Sequence, residues 1–170
     1  MTGQATTAST TPTSARINLW WIASVVLVVA AIGISGYLAY TEFTKGNVAC
    51  VEGPGFDCGL VQSSSYSKIL GIPVAYLGLA ANLGVLALLL LEPRIAILRQ
   101  WGPVVLFGVL LIGLLFSGWL IYVQAVLLKA FCVWCLAHEV VYGLLFAAGT
   151  VRLVQWLGAE ELEEDAGQAA

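Results

Sequence analysis

Cys132 and Cys135, in the run Phe131-Cys132-Val133-Trp134-Cys135, have the spacing of a redox pair. Residues at i and i+3 share one face of a helix, so their sulfurs can meet and close a disulfide. A helix N-terminus also favours a thiolate, because its unpaired N–H groups and the positive end of its dipole stabilise negative charge. A helix running inward from this point sets Cys132 nearer the surface and Cys135 roughly 4–5 Å deeper, at about 1.5 Å per residue. The competing readings of a C-x-x-C are a structural disulfide and a metal site. No second pair of ligands has zinc-like spacing, and His138 is the one histidine in the chain, so no metal is expected.

Cys50 and Cys58 form a second candidate pair, with Gly53-Pro54-Gly55 between them. Such a turn makes a flexible loop that can bring two sulfurs together or let one swing away. Alone, this pair reads equally as a structural staple. Together with the C-x-x-C it reads as a relay, with a mobile outer pair meeting a soluble protein and a fixed inner pair meeting an oxidant in the lipid.

His138 and Glu139 follow Cys135 by three and four residues, on a similar helix face. Ionisable groups inside an apolar helix are costly and mark function. His138 is a candidate quinone contact and Glu139 a candidate proton relay; the plainer reading has Glu139 paired with a polar neighbour. Asn82 reads as an interhelical hydrogen bond rather than a ligand contact.

Four apolar segments can position these groups: roughly Leu19–Tyr40, Ile72–Leu91, Pro103–Val123 and Phe131–Val154. Each has the length of about 20 residues that a membrane crossing needs. The composition agrees, with 60% hydrophobic and 10% charged residues, where soluble domains carry about 25% charged. The first segment is too long for a signal-peptide core and lacks a small-residue cleavage site before Tyr40. Pro73 and Pro103 fall in first turns, where a missing N–H does no harm. Scattered glycines, Gly33, Gly36, Gly78, Gly84, Gly108, Gly113 and Gly118, read as close-packing positions. The stretch Gly59–Leu70 is too short to span and reads as a half-helix over the bundle mouth.

With an even number of spans both termini share a side. Arg16, Arg94, Arg99 and Arg152 then face Lys45, Lys68 and Lys129 across the membrane, which makes the Arg side cytoplasmic. All four cysteines fall on the opposite, oxidising side, where disulfides persist. The run Glu160, Glu161, Glu163, Glu164 and Asp165 reads as a solvated tail. No basic stretch is long enough for nucleic acid. The expected organisation is an unstructured cytoplasmic start over 1–16, a redox domain over 17–155 and an acidic tail over 156–170. The fold class is all-α integral membrane, a four-helix bundle with a half-helix in its first outer loop.

In this order the cysteines resemble the vitamin K epoxide reductase family, in its bacterial branch. The matching features are Cys50 and Cys58, Ser64 six residues on, Gly71-Ile72-Pro73, and the run from Tyr122-Val123-Gln124 to Cys135. They span roughly 17–155. Another four-helix family of quinone-linked disulfide oxidases has its C-x-x-C in the first outer loop, the reverse order. The resemblance implies a bundle around a quinone of menaquinone, ubiquinone or vitamin K type. It makes Cys132 and Cys135 the active-site pair and Cys50 and Cys58 the shuttle. It puts Ser64 and Cys135 at the quinone, beside the candidate contact His138 read from its place in the helix. It implies a bacterial inner-membrane enzyme that reoxidises a thioredoxin-fold (DsbA-like) protein. Because the chain stops soon after its fourth helix, that partner is expected to be separate. Animal members reduce vitamin K epoxide and have a tyrosine where this chain has Glu139, which favours disulfide formation over epoxide reduction here. Two readings of other kinds stand beside it: a scaffold with structural disulfides, and a metal handler using Cys132, Cys135 and His138.

Overall fold

In lipid an apolar backbone has no hydrogen-bond partner but itself, so long apolar runs close into helices. The computed structural model describes residues 13–51 and 53–168. Its helices are α1 (Thr13–Thr44), α2 (Cys58–Ser63), α3 (Val74–Leu91), α4 (Ala96–Tyr122) and α5 (Val133–Gln168). Among the described residues four stretches are long and apolar enough to cross a membrane: Leu19–Thr44, Val74–Leu91, Ala96–Leu128 and Val133–Ala159. The chain is thus a helical membrane protein with four such spans. α1 packs most extensively against α5 and α3, and α4 against α5. Val28, Val85, Leu89, Leu106, Leu110 and Leu145 form the buried centre. A second buried cluster, of Cys58, Val61, Ala130 and Cys132, sits where the α1–α3 connection meets the start of α5.

Several boundaries differ from expectation. α1 begins at Thr13, so residues 13–16 of the expected unstructured start are helical; the remainder, 1–12, lies outside the described residues. α5 runs on to Gln168, so the acidic run continues a helix. Pro103 lies inside α4, because that helix starts at Ala96 rather than at the proline. Pro73 precedes α3 as its N-cap. The glycine reading also needs correction. A Cβ at Gly113 would collide with the Tyr142 hydroxyl, but around Gly33, Gly84, Gly108 and Gly118 there is open space, and Gly78 borders a cavity.

The α1–α3 connection holds less helix than expected. Asp57 caps α2, its Oδ1 accepting the Leu60 N–H at 2.8 Å. The helix stops at Ser64, whose backbone is extended and whose hydroxyl turns back to the Val61 carbonyl. A 3₁₀ turn over Ser65–Ser67 follows, and then a hairpin of β1 (Lys68–Ile69) and β2 (Ile72–Pro73). Leu70 and Gly71 both take positive φ at its tip, as a two-residue hairpin turn demands.

At the other end of the bundle Arg152 is buried. Its Nη2 donates to both Glu92 oxygens, at 2.7 and 2.6 Å. This arginine, counted in the sequence as a free charge at the membrane edge, instead ties α5 to the α3–α4 turn. Gly102 leaves room for Glu92: a Cβ there would lie 3.0 Å from Glu92 Cγ.

Candidate active site

The path to the site begins at the end of α4. Residues Val123–Leu128 widen into a π turn, a rare geometry that recurs at functional sites. It turns Gln124 inward, where its carbonyl accepts the N–H of Lys129 and of Ala130. Its side-chain Oε1 accepts the N–H of Cys132 at 2.8 Å. Gln124 therefore fixes the backbone from which the C-x-x-C starts. Sequence reasoning missed this role. The available signal was a lone polar residue in an apolar run eight positions before Cys132.

Cys132 and Cys135 are both free thiols. Cys132 precedes the span and Cys135 lies within it, in the expected order, but the outer of the two is the more shielded. Cys132 is 0% exposed, covered by the Cys58–Val61–Ala130 cluster, while Cys135 is only partly buried. The cap formed by the outer loop seals the nominal surface end of the helix. Cys132, which precedes the span starting at Val133, accepts the Cys135 N–H at 3.4 Å. Hydrogen bonding from Cys135, first from its thiol and then from its backbone, draws the Cys132 thiol down to about 7 against the opposing effect of burial.

Cys50 and Cys58 are joined as a disulfide, with their Cα atoms 6.0 Å apart. Cys58 is 2% exposed and belongs to the same buried cluster as Cys132, whereas Cys50 lies at its partly exposed edge. The intervening loop is docked, where a free turn was expected. Phe131 N–H donates to Gly55 at 2.8 Å and Asp57 N–H to Phe131 at 3.0 Å. On the other side of Cys50, the Trp134 indole donates to the Ala49 carbonyl at 2.6 Å. The Tyr37 hydroxyl accepts the Ala49 N–H at 2.9 Å. The two rings touch, with centroids 4.7 Å apart.

Beside this cluster lies a cavity of about 190 Å³ between α1, α3, α4 and α5 and under α2. Ser64, Cys135, His138 and Glu139 all line it. Cys50, Cys58 and Cys132 do not; of the four cysteines only Cys135 belongs both to the cavity wall and to the packing around Cys58 and Cys132. Asn82 makes the expected interhelical bonds, to Ser35 and His138, and also lines the cavity. Gln62, Ser117 and Tyr142 are further polar members that sequence reasoning did not name. The nearest signal for Gln62 was its place four residues after Cys58 in α2.

The wall suits a flat, largely apolar ring with polar edges. A cavity of about 150 Å³ already admits benzene. The surface of the wall is mainly apolar, and two buried polar atoms in it, Gln62 Nε2 and Glu139 Oε2, have no hydrogen-bond partner in the protein. Such unpaired groups are expensive unless a ligand or water satisfies them. Among the described residues no group of three or more His, Cys, Asp or Glu side chains comes together to hold a metal ion.

The model of the Vitamin K epoxide reductase family matches residues 5–150, a stretch that holds both cysteine pairs and every cavity residue named above. With four apolar helices, a closed outer disulfide and a C-x-x-C packed beside it, the chain belongs to the vitamin K epoxide reductase family and is a membrane thiol oxidoreductase.

Proposed function

We propose that the protein passes electrons from the dithiol of a thioredoxin-fold protein to a quinone in the membrane, and so drives disulfide formation. The observation that carries this reading is the position of Cys135, shared between the cysteine cluster and the cavity. Electrons arriving as thiolate on one side can leave on the other through a single sulfur.

The chain's own steps follow from exposure. Cys50, at the accessible edge, meets the attacking thiolate of the partner, and Cys58 leaves as a thiolate inside the cluster. The second thiol of the partner resolves its mixed disulfide with Cys50. Cys58 attacks Cys132 of the oxidised inner pair, and Cys135 leaves as thiolate; Cys50 then attacks Cys58 and releases Cys132. Each exchange forms one S–S bond and breaks one. A bound quinone supplies the sink for the two electrons and two protons that the inner dithiol gives up as its disulfide re-forms. Ser64, whose hydroxyl hydrogen goes to Val61, offers an acceptor at the cavity wall, and Glu139 holds a proton there. The outer pair closed and the inner pair reduced is the arrangement from which electrons leave for the acceptor. We assign this chemistry to the extracytoplasmic face of a bacterial inner membrane, with the Arg-rich ends cytoplasmic.

The test is quinone-dependent oxidation of a reduced thioredoxin-fold protein by the purified chain in detergent. Cys132→Ala and Cys135→Ala are each expected to abolish it. No turnover by the parent with ubiquinone and menaquinone analogues would overturn the reading.

A further inference from the structure

We propose that Asn82 holds His138 as the neutral Nδ1–H tautomer, making it a fixed hydrogen-bond donor to a carbonyl oxygen of the ring bound in the cavity. Proton transfer at this wall then belongs to Glu139 and not to His138. The inference rests on the reading of the cavity as a quinone site, and it adds the direction of a hydrogen bond and a positioning residue.

Ser35 sets that direction. Its hydroxyl donates to the Ala31 carbonyl one turn back in α1, at 2.8 Å. With its hydrogen committed, the Ser35 oxygen can only accept from the Asn82 side chain, 3.3 Å away. Asn82 must therefore turn its NH₂ group, not its carbonyl, toward Ser35. The same NH₂ lies 3.0 Å from His138 Nε2. A hydrogen on Nε2 would point at a hydrogen on Asn82 Nδ2, so Nε2 carries its lone pair and the ring proton sits on Nδ1. An imidazolium would need an acceptor opposite Nε2, which Asn82 can supply only by abandoning Ser35. Asn82 is 1% exposed. The Tyr142 ring lies against the imidazole, with centroids 5.9 Å apart and planes 22° from parallel, and so packs one face of the ring.

His138 lines the cavity with Nε2 already engaged. The nitrogen left for a ligand is Nδ1, and it arrives as a donor. A neutral donor held in place strengthens its bond as negative charge grows on a carbonyl oxygen, with no rearrangement of its own. Glu139 differs in this respect: its Oε2 is buried with no hydrogen-bond partner in the protein, so a proton there can be given up without disturbing the Asn82–His138 bond.

His138 is the one histidine in the chain, so ¹⁵N-histidine labelling yields a single pair of ring signals. In detergent at neutral pH the parent should show a protonated Nδ1 and an unprotonated Nε2. Adding a short-chain ubiquinone should move the Nδ1 signal. Asn82→Asp, which offers an acceptor, should transfer the proton to Nε2, and Asn82→Leu should release the tautomer to a mixture. Both should raise the KM for quinone about tenfold while reduction of the cysteine pairs by dithiothreitol keeps its rate. An Nε2–H ring or an imidazolium in the parent would overturn the proposal, as would an unchanged Nδ1–H ring in both variants. An Nδ1 signal indifferent to a quinone that the enzyme turns over would remove the donor role. Absence of any quinone turnover would overturn the cavity reading on which that role rests. The tautomer signals, recorded without quinone, distinguish that failure from a wrong hydrogen-bond direction.

Discussion

At the scale of single residues the site works by controlling where a sulfur can be negative. The Cys132 thiol is lowered to about 7, first by hydrogen bonding from Cys135, so it is a thiolate above that pH and a thiol below it. Titrating thiolate absorbance in the reduced Cys50→Ser/Cys58→Ser variant should show the first rise near pH 7. In the same background Cys135→Ala should move it upward toward an ordinary thiol. Glu139→Gln removes an exchangeable proton but keeps the shape. If Glu139 transfers protons, kcat for quinone should fall about 100-fold with KM little changed, a magnitude usual for general acid–base groups. Equal kcat in parent and variant would assign the proton elsewhere. Gln124→Leu leaves the buried Cys132 N–H without its acceptor. Thermal unfolding in detergent should show a loss of about 1–3 kcal/mol.

Among the elements, the α1–α3 connection is held down on both sides of Cys50. Gly55 and Asp57 bond to Phe131 at the foot of α5, and Ala49 is gripped on both its polar groups by Tyr37 and Trp134. Cys50 lies between these two attachments, so its freedom to leave the cluster is set by Trp134. Trp134→Phe keeps most of the ring packing and deletes the donor. Losing one such bond, worth about 1 kcal/mol, should speed amide exchange at Cys50 and Val51 about fivefold. The π turn belongs to this scale too. Without its extra residue Gln124 would not point its side chain and its carbonyl at the same short segment.

For the molecule as a whole, the two ends of the bundle are built differently. The cysteine end is capped by backbone hydrogen bonds and small apolar contacts that can open during exchange. The opposite end is closed by the buried Arg152–Glu92 pair. Removing one member of such a pair leaves an uncompensated charge and costs about 3–5 kcal/mol, whereas replacing both is far less damaging. Arg152→Met should therefore lower the unfolding midpoint strongly, and Arg152→Met/Glu92→Leu should recover most of the loss. Activity per folded molecule should be unchanged in the double variant, because the pair lies at the end remote from the cysteines.

The class of fold, the four apolar spans, the two cysteine pairs and the family could be read from sequence, because each depends on local composition, spacing or order along the chain. An apolar run of about 20 residues has one way to satisfy its backbone in lipid, and a C-x-x-C keeps its spacing wherever it is put. The short outer helix was foreseen, but its end at Ser64 depended on a side-chain bond to Val61. Only the tertiary structure decided which sulfur is shielded, because burial of Cys132 depends on a loop more than 70 residues earlier folding over it. The same holds for Gln124, which meets Cys132 through a π turn, and for Arg152, which finds Glu92 across two helices. Asn82 and His138 lie 56 positions apart, and their shared hydrogen bond exists only where α3 and α5 face the same cavity. Contacts of that kind are set by how whole helices pack, and periodicity along one helix does not encode them.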